Sequence, residues 1–516
     1  MSGAFFLTTP IYYANGDPHI GHTYATCVAD ALARYHRLLG DRTFLLSGSD
    51  EHGEKPLELA RERGMSPAEI TTHYSQAFRR TWEELGVSLD RFIRTTEERH
   101  EQIVRDVLQR VYDQGQIEFR EYEGLYCVGC ERFLTERDMV EGLCVDHERA
   151  PEHRAESNYF FKMSEHFDWL HDLIEANPEL IRPERFKNEA LALLREETGL
   201  GDLCISRPKD RLDWGIELPF DRDYVCYVWF DALISYLTGI GYPEGEDFAD
   251  LWANGEHLIG KDILKPHAIF WPIMLKSMGL PVYRHLNVHG HWQVDDRKVS
   301  KTLGNMISPL IMRDKYGFES FRYYLLREMA FGLDANFSEG HMITRVNADL
   351  ANNLGNLVSR TLNMTGRFAD GRVPAPGDGG ELEAGLRRVA EEAYESLDQH
   401  MRRCEPNRAI EAAFRVVDEA NRYLERREPW KAAKDPALAE QVRTTLATCC
   451  EALRVSAILL SPFLPEATRE ILSRLGLADA LATARLPEAA AWGETLVGLE
   501  TTVGPALFPR IEVDAA

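Results

Sequence analysis

The spacing of apolar residues changes several times along the chain, and each change marks an element. Residues 3–9, "GAFFLTT", form a short continuous apolar run and predict a buried strand. From Gly21 to Leu39, residues Ala25, Val28, Leu32, Tyr35 and Leu39 recur at helical spacing. "RTFLLSG" (42–48) returns to a strand and runs into "SDEHG". Strand, helix and strand in this order imply a parallel pair joined by a crossover. The motif recurs as a strand at 256–261, a helix at 263–279 and a strand at 284–290. Two such halves predict an α/β fold with one doubly wound, Rossmann-type parallel sheet, interrupted by an insertion at roughly 116–220. Beyond about residue 340 the period is helical, with a breaker at 370–385, "DGRVPAPGDGGELEAG". The expected division is 1–115 and 221–295 for the sheet, 116–220 for the insertion, 296–345 for a linking region and 346–516 for a helical domain.

A chain of 516 residues, 44% hydrophobic, can bury a large core in two or more domains. Its net charge of −24 argues against non-specific coating of nucleic acid, although a local basic track is compatible with it. Nine cysteines in this length fit a reduced, cytoplasmic protein better than a disulfide framework. The start, "MSGAFFLTTP", lacks the charged and apolar regions of a secretory signal, and no apolar run is long enough to span a membrane.

The loop after the first predicted strand, "TPIYYANGDPHIGH", puts His19, Gly21 and His22 at a helix N-terminus. Backbone N–H groups and the positive end of the helix dipole favour phosphate there. Gly21 allows close approach, and histidines three apart project to one side. A zinc pair is a poorer reading, because the spacing is not i, i+4 and no third ligand is near. Helix capping and packing is the other alternative. Far along the chain, "DDRKVSKTLGN" (295–305) sets Lys298 and Lys301 around a serine. Taken alone, such a pair reads as solvated surface.

The insertion contains "YCVGCERFLTERDMVEGLCVDHE". Cys127 and Cys130 form one x₂-spaced pair, Cys144 and His147 another, which fits a Cys₃His zinc site, with His153 as a fallback fourth ligand. Four protein ligands leave no open position, so this zinc would be structural. Cys27, Cys204, Cys226 and Cys404 lack such spacing, and the adjacent Cys449 and Cys450 read as buried thiols on an apolar helix.

Together, "HIGH" after the first strand and "KVSKT" after the last resemble the two signatures of class I aminoacyl-tRNA synthetases. Val299 and Thr302 depart from the usual Met and Ser, but both lysines stand. "PIYYANG" (10–16), "SGSDEHG" (47–53), "YVWFDALISY" (227–236) and "GKDILKPH" (260–267) extend the likeness over essentially the whole chain. The sequence resembles the methionyl-tRNA synthetase family, in its single-zinc form without an appended oligonucleotide-binding domain. The one local departure in these segments is Leu233, where many members carry Pro.

The resemblance implies ATP-dependent attachment of methionine to its elongator and initiator tRNAs through methionyl-adenylate, with Mg²⁺ accompanying ATP. It implies catalytic roles for His19, His22, Lys298 and Lys301, and ATP binding by Gly21, Gly260, Asp262 and the two lysines. Taken locally, Asp262 reads as an N-cap before "ILKPH". Methionine would lie among Ile11, Tyr13, Trp229, Leu233, Tyr236, Ile263 and His267, with Asp50 holding its ammonium. Without the resemblance, these aromatics read as core and Asp50 as a loop cap. Asn356, Arg360 and Trp430 would contact the anticodon; locally, the first two read as solvated helix-face residues and Trp430 as a packed one. Leu350, Leu354, Leu357 and Leu362 form the buried stripe of that helix, and Asn353 shares the face of Asn356 and Arg360. The chain ends at Ala516, which suggests a monomer.

Three alternatives fit the sequence less well. Leucine, isoleucine and valine enzymes need a larger editing insertion than 116–220 provides, and a cysteine enzyme needs an open zinc position. A small nucleotidylyltransferase sharing the histidine loop has no use for a long helical C-terminal region. A non-catalytic tRNA-binding protein is disfavoured by the intact histidine and lysine sets.

Overall fold

The computed structural model describes residues 3–128, 132–134, 138–145, 149–195, 200–227, 229–294, 297–298, 306–493 and 495–512. These fall into two compact units. One comprises Ala4–Pro18 and Phe44–His289; the other comprises Met1–Gly3, His19–Thr43 and Gly290–Ala516.

In the first unit, six strands form the central sheet: β1 (Ala4–Tyr13), β2 (Arg42–Asp50), β3 (Arg91–Arg94), β4 (Ile181–Arg182), β5 (Gly255–Gly260) and β6 (His285–His289). Their order is β3-β2-β1-β5-β6-β4. Phe6 pairs in parallel with Gly255, Glu256 with His285, and Leu46 with Arg91. The parallel, doubly wound expectation therefore holds. β1 runs on past its predicted end at residue 9 to Tyr13. Its pairing with β5 covers Phe6–Thr8, so Pro10, which lacks an N–H, lies beyond that ladder.

Gly48 in β2 has a backbone reason to be glycine: a Cβ there would sit 2.3 Å from the carbonyl oxygen of Ile93. Within the insertion, Ile117–Cys127 pairs antiparallel with Glu152–Phe161 along its length, in a four-stranded sheet of its own. The expected helix at 263–279 is broken up. Lys261–Ile263 is a 3₁₀ turn, Pro266–Phe270 a π turn and Trp271–Ser277 an α-helix. Pro266 and Pro272 each remove a backbone donor from the regular ladder, which accounts for the irregular path.

The second unit holds helix α1 (Ile20–Leu39) and the long C-terminal helices. α1 ends at Gly40, whose left-handed φ of 87° lets its N–H reach Arg37 and His36 carbonyls. Asp30, buried on α1, pairs with the Arg322 guanidinium at 2.7 Å. Arg322 also donates to the carbonyls of Phe463 and Pro462 at 2.9 and 2.8 Å. Tyr35 of α1 hydrogen-bonds the Asp398 carboxylate, and Leu486 N–H donates to the Leu38 carbonyl. The predicted leucine stripe is realised: Leu350, Leu354, Leu357 and Leu362 are all buried. The breaker at 370–385 is shorter than expected, because a helix begins at Glu381. The Glu383 carboxylate accepts the Gly380 N–H at 2.8 Å and caps that helix early.

Candidate active site

At the start of α1 the two histidines form a reciprocal cap. Gly21 N–H donates to His19 Nδ1 at 3.1 Å, and His19 N–H donates to His22 Nδ1 at 3.3 Å. The rings stack with centroids 3.8 Å apart. The capping alternative is thus present in the geometry, and it has a chemical consequence. With both Nδ1 atoms accepting, the proton of each neutral ring lies on Nε2. A phosphate arriving here would meet imidazole N–H edges, because these two backbone N–H groups are taken. A Cβ on Gly21 would lie 3.1 Å from His19 Cε1, so glycine keeps the His19 ring in place. Ile20 N–H donates to the Ile307 carbonyl at 2.9 Å, tying the helix start to the segment after the lysine loop. In that loop, Lys298 ends a two-residue strand whose partner is Gln293. The Lys298 side chain, and Val299, Lys301 and Thr302 entirely, lie outside the described residues.

In the sheet unit, the residues expected to hold methionine come from the ends of β1 and β2, the helix α2 (Trp229–Thr238) and the turns after β5. Leu233 and Tyr236 are buried in the main apolar cluster, and Ile11, Trp229 and Ile263 pack against it. Tyr13 stands apart, packed with Leu57, Leu212, Val225 and Tyr227, and Lys55 Nζ lies 4.8 Å from its ring centroid.

His267 Nδ1 lies 2.9 Å from the Ile263 carbonyl, which can only accept, so Nδ1 carries the proton. His267 Nε2 must then accept from the Tyr236 hydroxyl, 2.9 Å away. Burial pushes the His267 pKa down to about 4, against the Ile263 hydrogen bond and the Asp262 charge. The imidazole is neutral at physiological pH. The Trp229 ring meets His267 edge-on at 6.5 Å. The Tyr236 phenol is raised by burial and then by the Tyr12 phenol and the Asp50 carboxylate, so Asp50 lies within electrostatic range of this wall. Behind it, His257 Nε2 accepts from Trp271 Nε1 at 3.0 Å, and its Nδ1 lies 2.7 Å from Thr8 Oγ1. Gly260 is buried and Asp262 exposed. The N-cap reading of Asp262 fails: the cap position of the 3₁₀ turn is Gly260, and Asp262 lies inside the turn.

The sequence reading missed an ionisable cluster behind this wall. Asp231 Oδ2 accepts from His52 Nδ1 at 2.7 Å, and Asp231 Oδ1 accepts from His100 Nε2 at 2.7 Å. The three side chains are 1%, 4% and 0% exposed. Burial pushes Asp231 upward, but the His52 charge and the hydrogen bonds from both imidazoles outweigh it and bring its pKa to about 2. Burial likewise opposes protonation of His52, and the Asp231 carboxylate overrides it, so the imidazole pKa is raised. No periodic signal links positions 52, 100 and 231. The one local hint is an aspartate inside the otherwise apolar "VWFDALI".

Cys127 and Cys144 meet in one buried cluster with Leu134. Cys144 pairs with Met139 across a two-stranded ribbon. Two soft donors brought together fit half of a zinc site. Cys130 and His147 lie outside the described residues, and His153 is exposed.

In the helical region Asn356 is exposed, while Arg360 and Trp430 are half-buried. The Arg360 guanidinium lies 5.1 Å from the Trp430 ring centroid and 3.8 Å from Glu425. Trp430 is therefore not a fully packed core residue. Asn353, on the same face, is engaged by Asp418 and Asn421 at 2.7 and 2.8 Å.

A parallel sheet of this order, a histidine cap on the helix after its first strand and a helical C-terminal region define a class I aminoacyl-tRNA synthetase. The family model for class I tRNA synthetases (M) matches residues 5–150 and 138–362, and that for the anticodon binding domain of methionyl tRNA ligase matches 373–516. The chain is 45% identical to the methionine–tRNA ligase of Deinococcus radiodurans, over 99% of this chain and 75% of that one. It is 38% identical to the Streptomyces coelicolor enzyme, over 99% and 97%. The structure of Mycobacterium tuberculosis methionyl-tRNA synthetase in complex with methionyl-adenylate superposes with a TM-score of 0.91 at 36% identity, covering 98% of this chain and 100% of that one. The chain belongs to the methionyl-tRNA synthetase family.

The Asp231 cluster makes stability depend on pH in a defined sense. The carboxylate's contribution, roughly 2 kcal/mol from its shift, is present above its ordinary pKa and is lost as pH falls through about 2. The His52 contribution is present below the ordinary imidazole pKa of 6.5 and is lost as pH rises through the raised folded value. Denaturant midpoints should therefore fall less between pH 4 and pH 2 in Asp231→Asn than in the wild type. Equal slopes would show that Asp231 gains no folded-state stabilisation.

Proposed function

We propose that this chain joins methionine to its tRNA in two steps. The methionine carboxylate attacks the α-phosphorus of ATP; the bond to the β-phosphate oxygen breaks and pyrophosphate leaves with the electron pair. A hydroxyl of the tRNA 3′-terminal adenosine then attacks the acyl carbon and loses its proton, the acyl carbon–oxygen bond to the phosphate breaks, and AMP departs with the electron pair. The attacking carboxylate is already anionic, so adenylation needs no general base. Its catalysis lies in positioning and in stabilising charge on the transferring phosphate.

The observation that carries the reading for methionine is the Trp229–Tyr236–His267 wall. Tyr236 and His267 satisfy each other's hydrogen bond and the imidazole is neutral, which leaves an apolar, aromatic surface. Such a surface suits a flexible thioether, for which sulfur–aromatic contact is worth roughly 0.3–1.5 kcal/mol. Ile11, Tyr13, Leu233 and Ile263 complete the apolar set, and Asp50 takes the ammonium. The Nε2–H edges of His19 and His22, with Lys298 and Lys301, take the phosphates; Gly21 keeps the approach open. Gly260 and Asp262 take the adenosine, the carboxylate toward ribose hydroxyls. Mg²⁺ carried in with ATP would neutralise phosphate charge. Asn356, Arg360 and Trp430 read unpaired anticodon bases, supported by the guanidinium–indole pairing of the last two. Both elongator and initiator methionine tRNAs are substrates, and the enzyme works as a cytoplasmic monomer. Among the described residues no helix is long and apolar enough to cross a membrane.

ATP–pyrophosphate exchange with each amino acid in turn tests the reaction: only methionine should support it. Lys301→Ala should slow adenylation by about two to three orders of magnitude with little change in methionine affinity, since the lysine acts on transition-state charge. An unchanged pre-steady-state rate at saturating ATP would remove that role.

Zinc is assigned to Cys127, Cys130, Cys144 and His147, where it would cross-link the insertion. Elemental analysis should find one zinc per chain, and Cys127→Ser should lose it and melt earlier. A metal-free wild type of full activity and equal stability would refute the assignment.

Trp430→Ala should lose roughly 1–3 kcal/mol of tRNA interaction in aminoacylation while pyrophosphate exchange without tRNA is spared. If the two activities and the melting temperature fall together, Trp430 is a packing residue instead.

A further inference from the structure

The buried ion cluster behind the pocket wall has no part in the chemistry described so far, yet it joins the elements that carry the pocket. α2 has two faces. At 100° per residue, Trp229, Leu233 and Tyr236 fall within about 60° of one another, whereas Asp231 and Thr238 lie on the opposite side. The opposite side is where the cluster forms. His100, on the helix Glu98–Asp113, reaches Asp231 Oδ1 through Nε2 and Thr238 Oγ1 through Nδ1, at 2.7 and 3.1 Å. Its two ring nitrogens therefore grip α2 at positions seven apart. His52 holds the other carboxylate oxygen of Asp231. His52 sits two residues after Asp50, in the segment leaving β2. That segment is itself held: the Gly53 N–H donates to the Trp214 carbonyl, and Trp214 Nε1 donates to the Glu51 carbonyl at 2.6 Å.

We infer that His52, Asp231 and His100 are positioning residues for methionine, fixing the face of α2 that carries Trp229, Leu233 and Tyr236 against the loop that carries Asp50. The chemistry of the substrate explains the need. An α-amino acid with a thioether side chain has a charged end and an apolar end, and the site must hold the anion for one and the wall for the other at a set separation. Side-chain packing alone would supply stability, and an apolar triad would do that as well as or better than buried ions. A carboxylate held by two directional hydrogen bonds supplies a fixed distance and orientation, as outer-shell partners do for metal ligands.

The inference rests on the methionine reading, and the experiment separates the two. In the full-length chain, Asp231→Asn and the near-isosteric Thr238→Val are compared with wild type in pyrophosphate exchange, varying methionine and ATP separately. Methionine affinity is also measured by calorimetry without ATP. The KM for methionine should rise about tenfold in Asp231→Asn and less, in the same direction, in Thr238→Val, with the KM for ATP within about twofold of wild type. Calorimetry should show the same fold-loss. If Asp231→Asn does not fold, Thr238→Val, which keeps both hydrogen bonds to Asp231 and loses one tie, decides the matter. A parallel rise in both KM values, or a lower melting temperature with methionine affinity intact, overturns the positioning role. A wild-type chain without methionine-dependent exchange overturns the methionine reading instead.

Discussion

The parallel ladder between β1 and β5 is the constraint on which the catalytic unit depends. Phe6–Thr8 lie beside Gly255–His257, although most of the unit's chain runs between them. Five of the residues with a proposed role in methionine binding hang from the carboxyl ends of these strands and their neighbours. Ile11 and Tyr13 finish β1, Asp50 finishes β2, and the turns after β5 bring Ile263 and His267. In a doubly wound sheet this edge is where ligands collect, because the strand order changes direction there. The entropy of closing a loop grows only logarithmically with its length, so a long insertion between the halves costs little more than a short one. Once paired, the strands also make the intervening helices carry the remaining pocket residues, since α2 is the segment that leads back toward β5.

Imidazoles in this unit show how environment separates chemically identical groups. His257 and His267 are buried among aromatic rings, with donors and acceptors assigned by a carbonyl, an indole and a phenol, and burial keeps them neutral. His52 is equally enclosed but faces a carboxylate, which favours its charged form and raises its pKa against the effect of burial. Neutral His267 belongs to the wall proposed to meet an apolar side chain, with neutral His257 behind it, while the Asp231 carboxylate that draws His52 toward its charged form lies on the opposite face of α2. A protonated imidazole in the wall would need a counter-ion where the thioether is expected to lie.

Much of this was legible in the residue pattern. Short apolar runs located β1, β2, β5 and β6, and helical spacing located α1 and the leucine stripe across the helical segment at 347–368. Boundaries were lost where a proline or a capping carboxylate acts at one residue, as at Pro10, Pro266 and Glu383. β4 escaped notice because two residues, Ile181 and Arg182, carry no period at all. The histidine and cysteine pairs stood out because their partners are close in sequence. The pocket aromatics did not: Trp229, Tyr236 and His267 fit an ordinary core equally well, and only the family resemblance marked them out. The cluster of His52, His100 and Asp231 is assembled from three distant segments, and nothing local announces a contact of that kind.

Helix α1 has a consequence for synthesis on the ribosome. It is made early, between two strands of the sheet unit, yet its Asp30 is paired with Arg322, which emerges roughly 300 residues later. At about 5–20 residues per second that interval is on the order of 15–60 s. Asp398 and Leu486, which hold Tyr35 and Leu38, come later still. Throughout that time the α1 segment of a nascent chain lacks these three partners. Completion of this unit therefore waits on synthesis of its C-terminal helices, whatever the speed of local helix formation.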